Sequence, residues 1–118
     1  MRVLIAAALT MISGGVIASE LEDAHRQAIQ GRNAYWNCLA REYSRGSNQN
    51  MSEDDFKHEL ASVCPSERQK FRVMLLDYLR MEYPNVDAGA HLTTANRAVE
   101  AAQKDVLTAF AKHKESSK

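Results

Sequence analysis

The chain has 118 residues, enough for one domain, and 45% of them are hydrophobic, which excludes a disordered protein. Its 15 Lys and Arg residues are balanced by 15 Asp and Glu residues. That balance argues against a nucleic-acid-binding protein, which would need a concentrated basic surface, and gives no electrostatic reason to bind an anionic membrane. Good helix-forming residues dominate, whereas Gly (5) and Pro (2) are scarce, so the composition favours an all-α protein.

The N-terminus has the layout of a secretory signal peptide. Met1-Arg2 is a short positive start, and an apolar run follows from Val3 to Ile12. This run falls well short of the roughly 20 apolar residues that a membrane-spanning helix needs. We therefore predict a signal peptide over residues 1–18, cleaved between Ala18 and Ser19, with cleavage after Ser19 as the near alternative. An uncleaved anchor and a buried N-terminal helix are the competing interpretations.

Removal of the signal peptide leaves one predicted helical domain, residues 19–118. No second apolar run reaches spanning length, so we expect no membrane insertion after signal removal. The expected location is the periplasm or the exterior of the cell. Asn50 begins an Asn-Met-Ser sequence, which is a glycosylation acceptor only if the source is eukaryotic.

The first predicted helix runs from about Glu20 to Arg45. Its apolar and aromatic residues recur at spacings of three, four and seven, which fit a helical period: Leu21, Ala24, Ala28, Tyr35, Cys38, Leu39 and Tyr43. Gly31 interrupts this pattern and leaves open a bend or two shorter helices. Trp36 points about 100° away from Tyr35 on a helix. It either widens the buried face, which is the commoner outcome, or marks a contact surface.

The second predicted helix, from about Glu53 to Val63, follows a Gly/Ser/Asn-rich loop. Gly46 is placed to end the first helix in a left-handed conformation. Ser52 is the predicted N-cap of the second helix. Cys64 continues the apolar face of that helix, and Pro65 disfavours helical backbone at Cys64.

The third predicted helix opens at Ser66 and ends before Pro84. The fourth begins at Ala88 or Thr94, with Asp87 or Thr93 as its cap, and continues to about Lys112. Its apolar residues alternate at spacings of three and four, the pattern of a bundle seam or a coiled-coil contact, so a homodimer is also compatible with the sequence. Residues 113–118 are expected to fray.

Four amphipathic helices joined by short loops predict a small antiparallel bundle of about four helices. The two cysteines of the chain, Cys38 and Cys64, lie on apolar faces and are expected to form a disulfide that joins the first two helices as a hairpin. A redox pair and a lone thiol nucleophile are the alternatives. Both are disfavoured because the cysteines do not form a Cys-x-x-Cys motif and because His58 points away from Cys64 on the helix.

The remaining polar clusters suggest no chemistry. The four histidines lack metal-binding spacing and are interpreted as solvent-exposed: His25, His58, His91 and His113. The run Glu53-Asp54-Asp55 is explained by helix-start electrostatics, and the basic residues Arg68, Lys70 and Arg72 by a solvated helix face. We therefore predict no catalytic residue, no metal and no cofactor.

Met74 and Met81 are, with Trp36, the candidates for a contact surface, because methionine-rich surfaces adapt to varied partners. Burial in the core is the commoner role of such methionines. The first hypothesis for the function is a non-enzymatic envelope protein that binds an unidentified protein partner or has a structural role. The alternative is a periplasmic stress chaperone or an enzyme inhibitor, which is an analogy of class only. An enzyme would need a deep pocket with at least two convergent polar groups.

Overall fold

The computed structural model of the chain describes residues 4–45 and 49–116, with side chains from residue 18 onward. These residues form four α-helices and no strand: α1 (Leu4–Tyr43), α2 (Glu53–Ser62), α3 (Pro65–Glu82) and α4 (Ala88–Ser116). The predicted all-α class with about four helices is confirmed. No helix within the described ranges has the length and apolarity that crossing a bilayer requires.

The three long helices α1, α3 and α4 form the body of the bundle. His25 packs on Tyr78 with ring centroids 5.0 Å apart, and Tyr35 packs on Phe71 at 6.4 Å, so α3 runs antiparallel to α1. The Gln103 side-chain amide donates to the Tyr35 hydroxyl at 2.9 Å, a contact between α4 and α1. The predicted disulfide joins α1 to the residue after α2, while α1 packs chiefly against α3 and α4 rather than against α2.

The short helix α2 closes one end of the bundle. Phe56 of α2 stacks on Phe110 of α4 with ring centroids 4.1 Å apart, and Tyr43 of α1 meets the same Phe110 ring at 6.4 Å. Lys114 donates to the Met51 carbonyl, just before α2. These contacts extend α4 to Ser116, beyond the predicted end near Lys112 and into the segment expected to fray.

One continuous core runs through all four elements. Its buried members are Tyr35, Leu39, Phe56, Leu60, Cys64, Phe71, Val99, Ala102, Val106 and Phe110. The apolar seam of α4 lies inside this core, so the chain's own helices cover the face that the sequence offered for a homodimer. Burial of these side chains provides most of the stabilisation of such a bundle.

The helix starts follow the capping chemistry of the sequence. The Ser52 hydroxyl accepts from the Asp55 amide at 3.1 Å, which confirms the predicted N-cap of α2. The Asp87 carboxylate accepts from the Ala90 amide at 2.6 Å, so Asp87 rather than Thr93 caps α4. The third helix begins at Pro65 and not at Ser66, because proline suits the first helical position. The predicted cap at Gly46 lies outside the described residues.

The backbone of α1 is continuous through Gly31, which settles the question that the sequence left open. Gly31 is buried where the backbone of α1 lies close to α3. A Cβ atom at this position would lie 3.1 Å from Phe71 Cα and 3.3 Å from Met74 Sδ. The glycine therefore permits close helix packing rather than a bend. The predicted signal cleavage after Ala18 falls within α1 and stays a prediction.

Replacement of Gly31 by leucine is expected to lower the free energy of unfolding by about 2–3 kcal/mol, because the side chain must push α3 away. Helix propensity alone predicts a gain, since glycine is about 1 kcal/mol poorer than the best helix formers. Urea denaturation measures the change, with Gln30→Leu at the exposed neighbouring position as the control. A Gly31→Leu protein as stable as this control would contradict the close approach of α1 and α3.

Candidate functional site

The two cysteines form the predicted disulfide, with an S–S distance of 2.05 Å and a Cα–Cα distance of 6.2 Å. The bridge joins α1 to Cys64, the residue between the end of α2 and Pro65 of α3. A carboxylate oxygen of Glu67 and the two sulfurs lie within 4.8 Å of one another. Because the sulfurs are bonded to each other, neither is a thiolate that could bind a metal or attack a substrate.

The expectation that all four histidines are solvent-exposed is wrong for His91, which is 4% exposed. His91 Nε2 donates to the Tyr83 carbonyl at 3.0 Å and so reaches back across the turn between α3 and α4. The reason is local: the Tyr83 carbonyl, just after α3, accepts from the Val86 amide at 3.2 Å and has a second lone pair that the imidazole N–H uses. This role is structural.

The other histidines are spread over the bundle. His25, His58 and His113 are exposed, as predicted; His25 also lies against the Tyr78 ring and His113 against the Tyr43 ring, at centroid distances of 5.0 and 5.5 Å. Burial raises the pKa of the Tyr78 phenol, and negative charge at Glu82 and then Tyr83 adds to the shift. Tyr78 therefore stays neutral at physiological pH and serves as packing.

Two of the three basic residues predicted to form a solvated face on α3 donate hydrogen bonds within the fold. Arg68 Nη1 donates to the Ala61 carbonyl at 2.7 Å, which ties the end of α2 to α3. Arg72 Nη1 donates to the Gln69 side chain at 3.1 Å. Both arginines are half-buried, so the predicted solvated face is reduced to Lys70. The acidic residues that begin α2 are exposed and lie at the positive end of the helix dipole, as the sequence suggested.

The predicted contact residues are distributed over three places. Trp36 is 39% exposed, which corrects the expectation of burial, and it lies beside a groove between α1 and α4. Met74 is half-buried, and its sulfur faces Gly31 between α1 and α3. Met81 is 48% exposed and lines a separate cavity of about 370 Å³ between α1 and α3. The three residues therefore do not form one surface.

The groove beside Trp36 has a volume of about 500 Å³. Phe71 of α3 reaches it from the core, where its own side chain is 3% exposed. The complete lining is Arg32, Asn33, Trp36, Phe71, Ala98, Ala101, Ala102 and Asp105. The groove exists because the wall from α4 is built of alanines, so the space opposite the indole is left open.

Sequence reasoning singled out Trp36 but missed the other wall of the groove. Ala98, Ala101 and Ala102 look like ordinary helix-forming residues, and only Ala102 belongs to the buried stripe of α4. The sequence feature that could have indicated the groove is the cluster of alanines on one side of that stripe. This cluster can be interpreted only when the structure places it beside Trp36.

Two further apolar or concave features lie at the ends of the bundle. A cavity of about 730 Å³ lies between the end of α4 and the loop before α2, and its cation Lys114 is held by the Met51 carbonyl and lies 5.0 Å from the Phe110 ring centroid. At the opposite end, exposed apolar side chains surround the turn between α3 and α4: Met81, Tyr83, Val86 and Leu92. Met81 and Leu92 come from the ends of α3 and α4, and Tyr83 and Val86 from the turn between them.

Comparison with protein-family models, curated proteins and solved structures finds no match to this chain.

Proposed function

We propose that the protein is a non-enzymatic, exported helical protein that binds another protein through the groove between α1 and α4. The observation that carries this proposal is the exposed indole of Trp36 beside an apolar groove. Tryptophan is enriched among the residues that contribute most to protein–protein binding, and such residues insert into well-packed pockets. A rigid helical bundle can present such an anchor with little loss of conformational entropy.

The polar groups of the groove support binding rather than catalysis. Its lining contains three polar side chains, Arg32, Asn33 and Asp105. The Asp105 carboxylate is the one group among them that could act as a nucleophile, and no second carboxylate, histidine or lysine lines the groove to serve as its acid or base. A cation, an amide and a carboxylate around an apolar centre form instead the polar rim of a binding site.

The proposed location is the periplasm or the exterior of the cell. The N-terminal sequence pattern supports export, and the bond between Cys38 and Cys64 fits an oxidising compartment, where such bridges persist. The bundle would reach its partner there as a preformed scaffold.

Photo-crosslinking in the native host tests this function. A photoreactive amino acid at position 36 is expected to give a discrete adduct with one protein, whereas the same amino acid at Val73 is not. Val73 is the matched control because it is a large apolar residue, 45% exposed, on α3. With the purified partner, Trp36→Ala is expected to weaken binding about tenfold or more, and Val73→Ala to leave it unchanged.

Two results would overturn the proposal. One is the absence of any adduct at position 36 in cells that produce the folded, oxidised protein. The other is an equal set of adducts from positions 36 and 73, which would show collision rather than binding.

A further inference from the structure

We propose that reduction of the bond between Cys38 and Cys64 converts this part of the fold into a zinc site, formed by the two thiolates and the carboxylate of Glu67. The inference goes beyond the proposed function and does not depend on the groove beside Trp36. It is carried by the position of Glu67, by the contacts that hold the two cysteines in place, and by the chemistry of the three ligand atoms. The sequence indicated no metal site, because only the fold brings Glu67 beside the two sulfurs.

The carboxylate of Glu67 is close to the bridge and is not used elsewhere in the fold. One of its oxygens lies within 4.8 Å of both sulfurs, and the side chain is half-buried. Glu67 is the third residue of α3, a position from which a glutamate commonly accepts from the backbone amide of the N-cap residue, here Cys64. Within the described part of the chain the Glu67 carboxylate forms neither this bond nor an ion pair. It is therefore available to an ion beside the sulfurs.

Contacts other than the disulfide hold both cysteines in place. Cys38 lies within α1 next to Leu39, whose side chain is fully buried in the core. The segment before Cys64 is held by Arg68, whose Nη1 donates to the Ala61 carbonyl at 2.7 Å. The backbone amide of Arg68 also donates to the Cys64 carbonyl at 3.0 Å, in the first turn of α3. Because the core is sufficient to fold without the bridge, reduction leaves the three ligands close together.

The distances suit a tetrahedral zinc ion. Zinc binds thiolate sulfur at about 2.3 Å and carboxylate oxygen at about 2.0–2.2 Å, so its ligand atoms lie about 3.6–3.8 Å from one another. The three ligand atoms of this site already lie within 4.8 Å of one another. The Cα–Cα distance of the bridge is 6.2 Å, above the commonest disulfide value of about 5.5–6 Å. Small rotations of the cysteine side chains are therefore sufficient to admit an ion between the sulfurs.

The ligand set favours zinc over other common ions. Mg²⁺ and Ca²⁺ take oxygen ligands and do not suit two thiolates. Cu⁺ is selected by soft sulfur ligands alone, whereas Zn²⁺ binds thiolate and carboxylate together. Cys64 and Glu67 also lie at the N-terminus of α3, where the helix dipole favours negative charge. Three protein ligands leave the fourth position of the ion to water.

The formation of the site needs a reductant, and a dithiol supplies the balance. One thiolate of the dithiol attacks a sulfur of the bridge, the S–S bond breaks, and the second thiol completes the exchange. The dithiol becomes a disulfide, and Cys38 and Cys64 become thiols. Zinc then displaces both thiol protons as it binds the thiolates. Oxidation removes two electrons, forms the S–S bond again and releases the ion, so the site exists only in the reduced protein.

Cobalt binding tests the site on the chain purified from its host and reduced with a phosphine under nitrogen. Co²⁺ is the probe because charge transfer from thiolate gives near-ultraviolet absorption and tetrahedral coordination gives intense visible bands. We expect both features for the reduced wild-type protein, their loss on addition of Zn²⁺, and neither for the oxidised protein. Cys38→Ser should abolish the thiolate absorption of a two-sulfur site. Glu67→Gln should weaken cobalt binding about tenfold or more, since loss of even an outer partner of a ligand has an effect of that size.

Glu100→Gln is the control for the loss of one negative charge. Glu100 is exposed on α4 and is not among the three ligands, so this variant should bind cobalt like the wild type. A fluorescent zinc indicator provides a second measurement: an oxidant added to the reduced, zinc-loaded protein should release zinc as the bridge forms. Circular dichroism of each reduced protein reports whether its helices persist.

Three results would overturn the inference. One is a reduced wild-type protein that stays helical and shows no absorption from thiolate-bound cobalt. The second is a reduced protein that loses its helices and binds no cobalt, because the inference requires the fold to keep the three ligands together. The third is wild-type affinity in Glu67→Gln, which would exclude the carboxylate as a ligand. None of these results concerns crosslinking at position 36, so failure of the zinc site and failure of the proposed function are distinguishable.

Discussion

Replacement of Phe110 by alanine is expected to lower the free energy of unfolding by about 4 kcal/mol, the largest effect of any single substitution considered for this bundle. Phe110 is 2% exposed and contacts two other helices of the fold, α1 and α2. Its ring stacks on Phe56 of α2 and meets Tyr43 of α1 edge-on, and Lys114 Nζ lies 5.0 Å from the ring centroid.

The cost exceeds that of an average core truncation because α2 has few other contacts with the bundle. It is 10 residues long and buries two side chains, Phe56 and Leu60. A helix of this length is unstable in isolation and depends on its tertiary packing. Loss of the Phe110 ring leaves a cavity beside Phe56, so we expect α2 to be the first element to open.

Urea denaturation followed by circular dichroism measures the change in stability. Leu92→Ala on the same helix is the control, because Leu92 is 46% exposed and its truncation should change stability by no more than about 0.5 kcal/mol. Phe110→Leu, which keeps most of the volume, should cost less than Phe110→Ala. A loss below about 1 kcal/mol for Phe110→Ala would contradict the packing of α2 against α4.

Much of the fold follows from the sequence because it depends on local rules. Apolar spacing defines the buried face of each helix, and the side chain of Ser52 defines the start of α2. Pro65 separates α2 from α3 through the conformation of Cys64. The pairing of the two cysteines could be predicted from their number and from their positions on apolar helix faces, without knowledge of the tertiary structure.

The arrangement of the helices in space could not be predicted from the sequence, because apolar periodicity identifies the buried face of a helix but not the helix that covers it. Gly31 shows this: in the sequence it is an unfavourable residue within a helix, whereas in the structure it allows α1 to pack closely against α3. His91 shows the same limit, since its partner, the Tyr83 carbonyl, appears only when the turn has folded.

The groove was beyond prediction for a related reason. Trp36 stood out as a large residue beside the buried face, but its exposure depends on how far α4 lies from α1. Alanines of α4 line the groove beside the indole, and which side chains of α4 face α1 depends on the rotation of α4 about its own axis. The sequence identifies these residues but does not show their positions relative to one another in space.

Removal of the disulfide by the double substitution Cys38→Ala and Cys64→Ala is expected to lower the free energy of unfolding by about 3–4 kcal/mol. The bridge spans a sequence separation of 26 residues and restricts the unfolded chain accordingly. It also connects α1 to Cys64, the residue directly before α3, and so helps to hold α1 and α3 in register. The folded state should survive, because a bundle of this size has a core sufficient to fold without a bridge.

The conformation of Cys64 provides a matched variant. Its φ of 56° and ψ of 47° are left-handed, which costs a residue other than glycine about 1–2 kcal/mol. Cys38→Ala with Cys64→Gly is therefore expected to recover about 1 kcal/mol relative to the double alanine variant. Urea titrations of the three proteins at one pH give both differences.

The two comparisons together separate the roles of the bridge. Equal stability of the alanine and glycine variants would contradict the left-handed backbone at position 64, because relief of that strain is the only difference between them that favours glycine. A small difference between the wild type and the glycine variant would show that the bridge mainly holds Cys64 in an unfavourable conformation. A large remaining difference would show that restriction of the unfolded chain is the main source of its stabilisation.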